Sequence, residues 1–397
     1  MAEIAGLTPA MRQYMQAKQE LSEDTILLFR MGDFYELFFE DARVAAPLMD
    51  IVLTARGGVP MCGVPYHAAR NYISKILAGG LKVAIAEQIE DPKLAKGLVK
   101  RDITQIITPG TLLDDTLLTA AKSNFLLALC PGKERYGIAM LDLSTGDFRL
   151  SEARNAAALE IEFSRLQPSE VVAPATWLEA RQKEGFPPGL DREITWTPLD
   201  DWQFDPQLCR EDLQKHFEVA SLDGFGCRGL DLGIAAAGAV LHYARKNLRQ
   251  DAANITSLLT YQTEDCLILD RISQRNLELV EPIFADSKDN TLISVLDETV
   301  TPMGARLLRE WVLRPLKNQE AIEARLEAVE NLLGSPLLLT ELREILTAVR
   351  DLERTVTRLN VGSNASARDL LVLQRGLEEV PGLKAVLAGA EAALLKN

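Results

Sequence analysis

The sequence predicts a multidomain protein in which two α/β regions are followed by an all-α region. Its 397 residues exceed one ordinary domain, because globular chains average roughly 150 residues per domain. Patterns typical of strands and of helices alternate as far as residues 250–256. From about residue 258, apolar residues recur at spacings of three and four, which is the helical period. We therefore expect domains at residues 1–116, 117–252 and 253–397.

The first region begins with a helix and continues as an α/β pattern. Thr8 is a suitable N-cap, and Pro9 suits the first helical position. Gly32-Asp33 interrupts a β-prone run, and Gly79-Gly80 ends a helical pattern. The predicted strands cover residues 26–31, 34–38, 82–86 and 103–107, and predicted helices begin near residues 9, 40 and 68. This pattern indicates a small mixed α/β domain.

The second region opens with three consecutive strands, and the third region consists of helices. Turn residues at 131–134 and 144–147 separate the three strands, and helical patterns follow at 156–166 and near 233–248. In the third region, residues 301–313 and 319–333 have helical spacing, and Arg314-Pro315-Leu316 breaks the pattern between them. The last residues contain no terminal cap, so we expect an incomplete helical domain.

The composition is that of an ordinary globular protein. The chain is 47% hydrophobic and 25% charged, and no apolar run approaches the roughly 18 to 20 residues of a membrane helix. The N-terminal residues lack a secretory signal, so the cytoplasm is the expected compartment. The five cysteines form no C-x-x-C pair, and the three histidines have no metal-ligand spacing. We therefore expect neither a disulfide framework nor a metal site.

The charge balance argues against simple adhesion to a polyanion. The net charge is −14, and residues 1–118, 119–250 and 251–397 carry 12, 15 and 16 Lys and Arg against 15, 19 and 23 Asp and Glu. Phosphate binding is driven by cations that displace counterions, and no segment here is strongly basic. If the chain binds DNA, it must use local contacts, a clamp geometry or segments outside this chain.

The most informative local sequence is Met31-Gly-Asp-Phe-Tyr-Glu-Leu-Phe38. In a strand, residues i and i+2 share a face, so Phe34 and Glu36 project to one side and Tyr35 to the other. For an arbitrary F-x-E sequence, the ordinary interpretation is a core phenylalanine beside a glutamate at the sheet edge. The surrounding residues favour a different interpretation.

Residues 28–42 strongly resemble the mismatch-binding domain of the MutS family of DNA mismatch-recognition proteins. The similarity continues in order through residues 50–57, 60–68, 83–92 and 107–111. Residues 141–148 resemble the connector domain of that family, and residues 275–279, 291–297 and 301–311 resemble its helical core. Several ordered motifs over nearly the whole chain make this resemblance highly specific.

The resemblance implies DNA mismatch repair through recognition of mispaired or unpaired bases in duplex DNA. In this family the F-x-E phenylalanine stacks on the mispaired base from the minor groove, so Phe34 is the expected wedge and Glu36 the expected contact to that base. Unstacking costs least where pairing is already poor, so selectivity depends largely on DNA deformability. Arg56, Met61 and Tyr66 are further candidates for contacts to the DNA backbone or groove.

The resemblance also implies partners and domains beyond this sequence. MutS proteins act as homodimers, bind a MutL-type partner through the connector, and relay recognition through the core to an ATPase domain that uses ATP and magnesium. This sequence contains no G-x-x-x-x-G-K-[ST] phosphate loop. We therefore expect the chain to end before the clamp and ATPase domains, with no catalytic residues, no enzymatic activity and no cofactor of its own.

The connector leaves alternatives open. The strand that carries Asp142 resembles the first strand of ribonuclease H-like nucleases, which need several acidic residues around two metal ions. Spacing assigns no acidic partner to Asp142, so a ribonuclease H-like connector without catalysis is the favoured interpretation. A protein-interaction module that displays the connector surface is the second hypothesis, and a metal-dependent nuclease is the third.

Overall fold

The computed structural model describes residues 8–90, 99–187, 190, 194–262, 266–284, 290–361 and 365–396. These residues form a mixed α/β structure, as predicted. The chain divides into two compact units, one of Met1–Leu112 with Tyr243–Ala252 and the other of Leu113–His242 with Ala253–Asn397. The finer division into three domains stays a prediction.

The first unit contains a six-stranded sheet and three helices. Its strands are β1 Thr25–Met31, β2 Phe34–Phe38, β3 Thr54–Arg56, β4 Val59–Pro65, β5 Lys82–Gln88 and β6 Arg101–Ile107, and its helices are α1 Pro9–Gln19, α2 Phe39–Met49 and α3 Ala69–Ala78. The strand order is β3-β4-β2-β1-β5-β6. Strands β1 and β5 are parallel, and the other neighbouring pairs are antiparallel. The four predicted strands are confirmed, whereas the β3–β4 hairpin was not predicted.

Local sequence explains how the first unit begins. The Thr8 side chain accepts a hydrogen bond from the Met11 amide at 3.4 Å and so caps α1. Gly32 has a φ of 61° at the first position of the two-residue turn between β1 and β2, where a side chain would be strained. This turn brings Phe34 opposite Met31 and fixes the register of β2.

A buried polar contact joins α1 to α2. The Tyr14 hydroxyl donates to Asp41 at 2.7 Å, and the ring of Tyr14 lies edge-on to Phe29 and Phe38. The Leu27 amide also donates to Asp41, at 2.9 Å. A buried carboxylate is stable only when it is paired in this way. The core of the first unit is therefore organised around the strands that lead into the F-x-E sequence.

The second unit contains another six-stranded sheet. Its strands are β7 Phe125–Pro131, β8 Tyr136–Asp142, β9 Asp147–Ala153, β10 Glu170–Pro174, β11 Thr195–Leu199 and β12 Leu259–Thr260, and the helices along this part of the chain are α4 Ala156–Leu166, α5 Ala175–Glu184, α6 Pro206–His216 and α7 Asp231–Leu248. The strand order is β11-β10-β7-β8-β9-β12. The three strands β7, β8 and β9 form an antiparallel meander, and the other three join it in parallel.

The remainder of the second unit is helical, as the 3- and 4-residue spacing predicts. The helices are α8 Arg271–Asn276, α9 Leu292–Leu296, α10 Pro302–Leu313, α11 Gln319–Leu333, α12 Pro336–Ala348, α13 Leu352–Val361, α14 Ala367–Leu387 and α15 Ala393–Lys396. Thr301 and Asn318 cap α10 and α11 through bonds from Gly304 and Ala321 amides at 3.1 and 2.8 Å. In the part of the chain that the structure describes, no helix combines the length and apolar character needed to cross a membrane.

Candidate nucleic-acid interface

Phe34 is an exposed aromatic residue at the start of β2. Its exposed fraction is 47%, whereas the next residue, Tyr35, is buried on the opposite face. Glu36 lies on the same face as Phe34, two residues further along the strand. The ordinary interpretation of an F-x-E sequence, with the phenylalanine in the core, therefore does not apply to Phe34. An exposed ring beside a carboxylate is available to a planar partner.

The carboxylate of Glu36 is held by an arginine from a different strand. Arg56 Nη1 lies 2.6 Å from Glu36 Oε2, with side-chain exposures of 55% and 13%. Strand β4 runs between β3 and β2, and its residue opposite Glu36 is Gly63. A Cβ atom at Gly63 would lie 3.6 Å from Glu36 Cγ. The absence of a side chain at Gly63 leaves the face of the sheet open where Arg56 crosses to Glu36.

A second arginine contacts the aromatic residue that follows β4. The guanidinium carbon of Arg30 lies 3.6 Å from the ring centroid of Tyr66, a residue that is 44% exposed. The Tyr66 amide donates to the Asp33 carbonyl at 3.0 Å, which ties Tyr66 to the turn that precedes Phe34. Arg30 was not predicted, although its position two residues before Gly32 on the antiparallel neighbour of β2 was a usable signal.

The predicted contact residues are only partly brought together. Pro65, next to Tyr66, pairs with Phe34, whereas Met61 pairs with Phe38 at the other end of β2. The side chain of Met61 packs against the buried cluster that includes Tyr14. Tyr66 thus follows the residue paired with Phe34, but its ring contacts Arg30, which pairs with Tyr35 on the opposite face, and Met61 contributes to the core.

The opposite face of β2 is anchored by a buried tyrosine. Burial raises the pKa of Tyr35, and its hydrogen bond to the Glu87 carboxylate raises the pKa further. The Tyr35 hydroxyl therefore stays neutral and donates to Glu87 across the sheet. This contact fixes the strand whose other face carries Phe34 and Glu36.

Asp142 in the second unit is a buried structural residue. Its carboxylate accepts hydrogen bonds from the Asn124 amide, the Ser144 amide and the Ser144 hydroxyl at 2.9, 2.9 and 2.6 Å. Burial is the largest effect on Asp142 and raises the pKa of its carboxyl group. Among the described residues, no three His, Cys, Asp or Glu side chains form a group that could hold a metal ion. The acidic cluster that a nuclease would need is thus missing from the described ranges.

Comparisons with known proteins agree with the motifs. The models of MutS domain I, MutS domain II and MutS domain III match residues 8–116, 124–256 and 273–397. The chain is 42% identical over 387 residues to a protein named DNA mismatch repair protein MutS from Desulfosudis oleivorans, covering 95% of this chain and 43% of that protein. The proteins of the same name from Methanosarcina mazei and Myxococcus xanthus are 40% and 42% identical, with 97% and 100% of this chain covered.

These alignments also define how much of a relative the chain represents. It spans less than half the length of the relatives named above, between 43% and 45% of each. The three domain models follow one another in the order of their numbers and leave only short segments unmatched. On this evidence the chain belongs to the MutS family.

Proposed function

We propose that this chain recognises mispaired or unpaired bases in duplex DNA and thereby serves DNA mismatch repair. The relatives that it matches are named DNA mismatch repair proteins. The observation that carries the proposal is the half-exposed ring of Phe34 on the same face of β2 as the carboxylate of Glu36.

Phe34 is proposed to act as the wedge. Stacking of a base on an aromatic side chain contributes about 1–3 kcal/mol, and unstacking a base step costs a few kcal/mol. The two free energies nearly cancel at a well-paired step, whereas a mispair lowers the cost of unstacking. An exposed aromatic ring therefore favours mispaired over paired DNA without any hydrogen bond to a particular base.

Glu36 is proposed to contact the wedged base and to oppose binding to intact duplex. At a mispair, a base edge replaces the Arg56 contact that the carboxylate has in the free protein. At paired DNA no base reaches Glu36, and its negative charge repels the phosphates. Arg56 and Tyr66 remain candidates for contacts to the backbone or groove, and the core packing of Met61 makes its contact the weakest of the three candidates.

Binding of mismatched DNA tests the wedge. We would compare a G·T-mismatched and a fully paired duplex by fluorescence anisotropy at low salt, using the unmodified chain, Phe34→Ala and Val52→Ala. Val52 is a matched control because it is 79% exposed in the same unit. Loss of 1–3 kcal/mol of stacking predicts that Phe34→Ala weakens mismatch binding roughly 5- to 150-fold.

The same experiment separates binding from folding. Because Phe34 is half exposed, its truncation should cost only about 0.5 kcal/mol of folding free energy. Val52→Ala should retain the mismatch preference. An equal preference in the unmodified chain and Phe34→Ala, or no binding to either duplex, would contradict the proposal.

The remaining family properties are also proposals for this chain. The strand order β9-β8-β7-β10-β11, with an antiparallel meander extended by parallel strands, supports a ribonuclease H-like connector over residues 117–252. We propose that this connector docks a MutL-type partner, that the helical core over residues 253–397 relays recognition to an ATPase domain of a longer protein, and that this protein is a homodimer.

A further inference from the structure

The second unit contains a cavity that the proposed function does not use. Its volume is about 260 Å³, and it lies between the meander and α4 on one side and α10 on the other. One part of its wall is apolar and includes Phe125, Leu166 and Leu313. Another part carries the cationic side chains of Lys122 and Arg309, and Arg165 of α4 lies behind the wall with its guanidinium fully buried. All of these residues belong to the second compact unit.

Arg165 is a fully buried guanidinium with unused donors. Its side chain is 0% exposed, and within the described structure its Nε, Nη1 and Nη2 atoms have no hydrogen-bond partner. Arg165 Nη1 does lie 3.1 Å from Glu162 Oε1, so the charge has a neighbour even though the donors are not aligned with it. Each buried donor left without an acceptor costs about 1–3 kcal/mol. Because the side chain is not exposed, Arg165 acts on a ligand in the cavity only through its charge, which Glu162 partly offsets.

Lys122 and Arg309 are two cations that line the cavity, and the same carboxylate, Glu281, acts on both. Burial lowers the pKa of Arg309, and burial together with the charge of Arg309 lowers the pKa of Lys122. Arg309 Nη2 donates to Gln167 Oε1, a neutral acceptor, at 3.0 Å. Arg309 is partly buried and Lys122 is exposed, so these two cations extend from the partly buried wall to the surface.

The carboxylates in the cavity wall are largely committed to other partners. Glu310 accepts hydrogen bonds from Arg149 at 2.5 Å and from Arg314 at 3.1 Å. Glu281 is exposed and accepts a hydrogen bond from Gln167 Nε2 at 3.2 Å. Glu281 is therefore the acidic side chain that most directly offsets Lys122 and Arg309.

We propose that this cavity binds a small anion that carries a phosphate group. Guanidinium groups match phosphate oxygens with two parallel donors, and an ammonium adds a compact charge. A single water needs only about 10–15 Å³ of such a cavity, so there is also space for an organic body against Phe125 and Leu313. The bound anion would join α4 to α10 and stabilise the second unit. The proposal does not depend on DNA binding.

The test uses inorganic phosphate and adenosine monophosphate as probes. Their binding to this chain would be measured by calorimetry and by the shift in melting temperature, against sodium chloride at equal ionic strength. Both probes should raise the melting temperature, because a ligand that binds only the folded state stabilises it. If adenosine monophosphate binds more tightly than inorganic phosphate, the apolar wall contacts the organic part of the ligand. If the two affinities are equal, the site recognises the phosphate group alone.

Three variants make the test specific. Arg309→Gln should weaken phosphate binding at least tenfold, and Arg375→Gln, which removes an exposed arginine on α14, should not change it. Glu281→Gln should strengthen binding severalfold, because the anion no longer competes with a carboxylate. In chloride, Arg309→Gln should melt no lower than the unmodified chain, since it removes a desolvated charge. Failure of both probes to bind, or unchanged binding in Arg309→Gln, would overturn the proposal.

Discussion

Removal of the Glu36 carboxylate should change how strongly DNA binding depends on salt. In the free protein, Arg56 Nη1 is 2.6 Å from Glu36 Oε2, and more than half of the Arg56 side chain is exposed. Glu36→Ala leaves this guanidinium without its partner and still open to solvent. A phosphate is then the strongest acceptor available to Arg56 when duplex DNA approaches.

The size of the effect follows from the geometry of the pair. An ion pair with one well-exposed partner contributes about 0.2–1 kcal/mol to the free energy of unfolding, so its loss should leave the fold intact. One additional phosphate contact makes the slope of log K against log salt steeper by about 0.9. A fourfold increase in salt concentration should therefore weaken the binding of paired DNA in both proteins, and the loss of affinity should be about 3.5-fold larger for Glu36→Ala than for the unmodified chain.

The assay is a set of anisotropy titrations with a fully paired duplex at several salt concentrations. The variants are Glu36→Ala, Arg56→Gln and the double variant, which should return to the slope of the unmodified chain. If Glu36→Ala has an unchanged slope, or the double variant stays steep, the reasoning is refuted. A slope that becomes shallower in Arg56→Gln alone would instead mean that Arg56 leaves Glu36 and contacts a phosphate in the unmodified complex.

Three further predictions concern single side chains. Gly63→Val puts a branched side chain on β4 opposite Glu36, so it should reduce the mismatch preference in the anisotropy assay, with Gly63→Ala as the milder control. Asp142→Asn leaves one of three buried donors without an acceptor. The free energy of unfolding, measured with urea, should fall by about 1–3 kcal/mol. An unchanged free energy of unfolding would contradict the structural role of Asp142. The third prediction concerns Asp351→Asn. Burial raises the pKa of Asp351, but the hydrogen bonds from Arg306 lower the pKa by more, so that it lies below the usual value of an aspartate. The pKa of Asp351 is therefore lower in the folded than in the unfolded state. The stability that the Asp351–Arg306 pair contributes is present at neutral pH and is lost as the pH falls below about 4. Melting temperatures of Asp351→Asn and the unmodified chain should therefore converge in acid.

Local turn chemistry made much of the first unit predictable, whereas long-range pairing did not. The turn at Gly32-Asp33 and the alternation after it predicted β2 and the shared face of Phe34 and Glu36. The hairpin over residues 54–65 escaped prediction because it contains Gly57-Gly58, Pro60 and Gly63, which usually interrupt strands. These residues become strands because β4 pairs with β2 and β3 pairs with β4.

The missed hairpin also explains why the sequence did not show which of the predicted contact residues lie together. Arg56 is 20 residues from Glu36 in sequence, and only the order β3-β4-β2 reveals that the two side chains can meet. The same register places Met61 opposite Phe38 and away from Phe34. Strand pairing therefore decides which predicted site residues lie together, and a single sequence does not contain that information in a local form.

The acidity of the chain is compatible with mismatch recognition because net charge and base stacking make separate contributions to the free energy of DNA binding. In the second unit, Arg306 and Arg354 are buried and bind Asp351 and backbone carbonyls, so these cations are not available to phosphates. Binding to paired DNA is almost entirely electrostatic and is weakened by a net charge of −14. Stacking of a base on Phe34 requires no net positive charge. Acidity therefore lowers the affinity for paired and mispaired DNA alike, and the proposed stacking on Phe34 sets the preference between them.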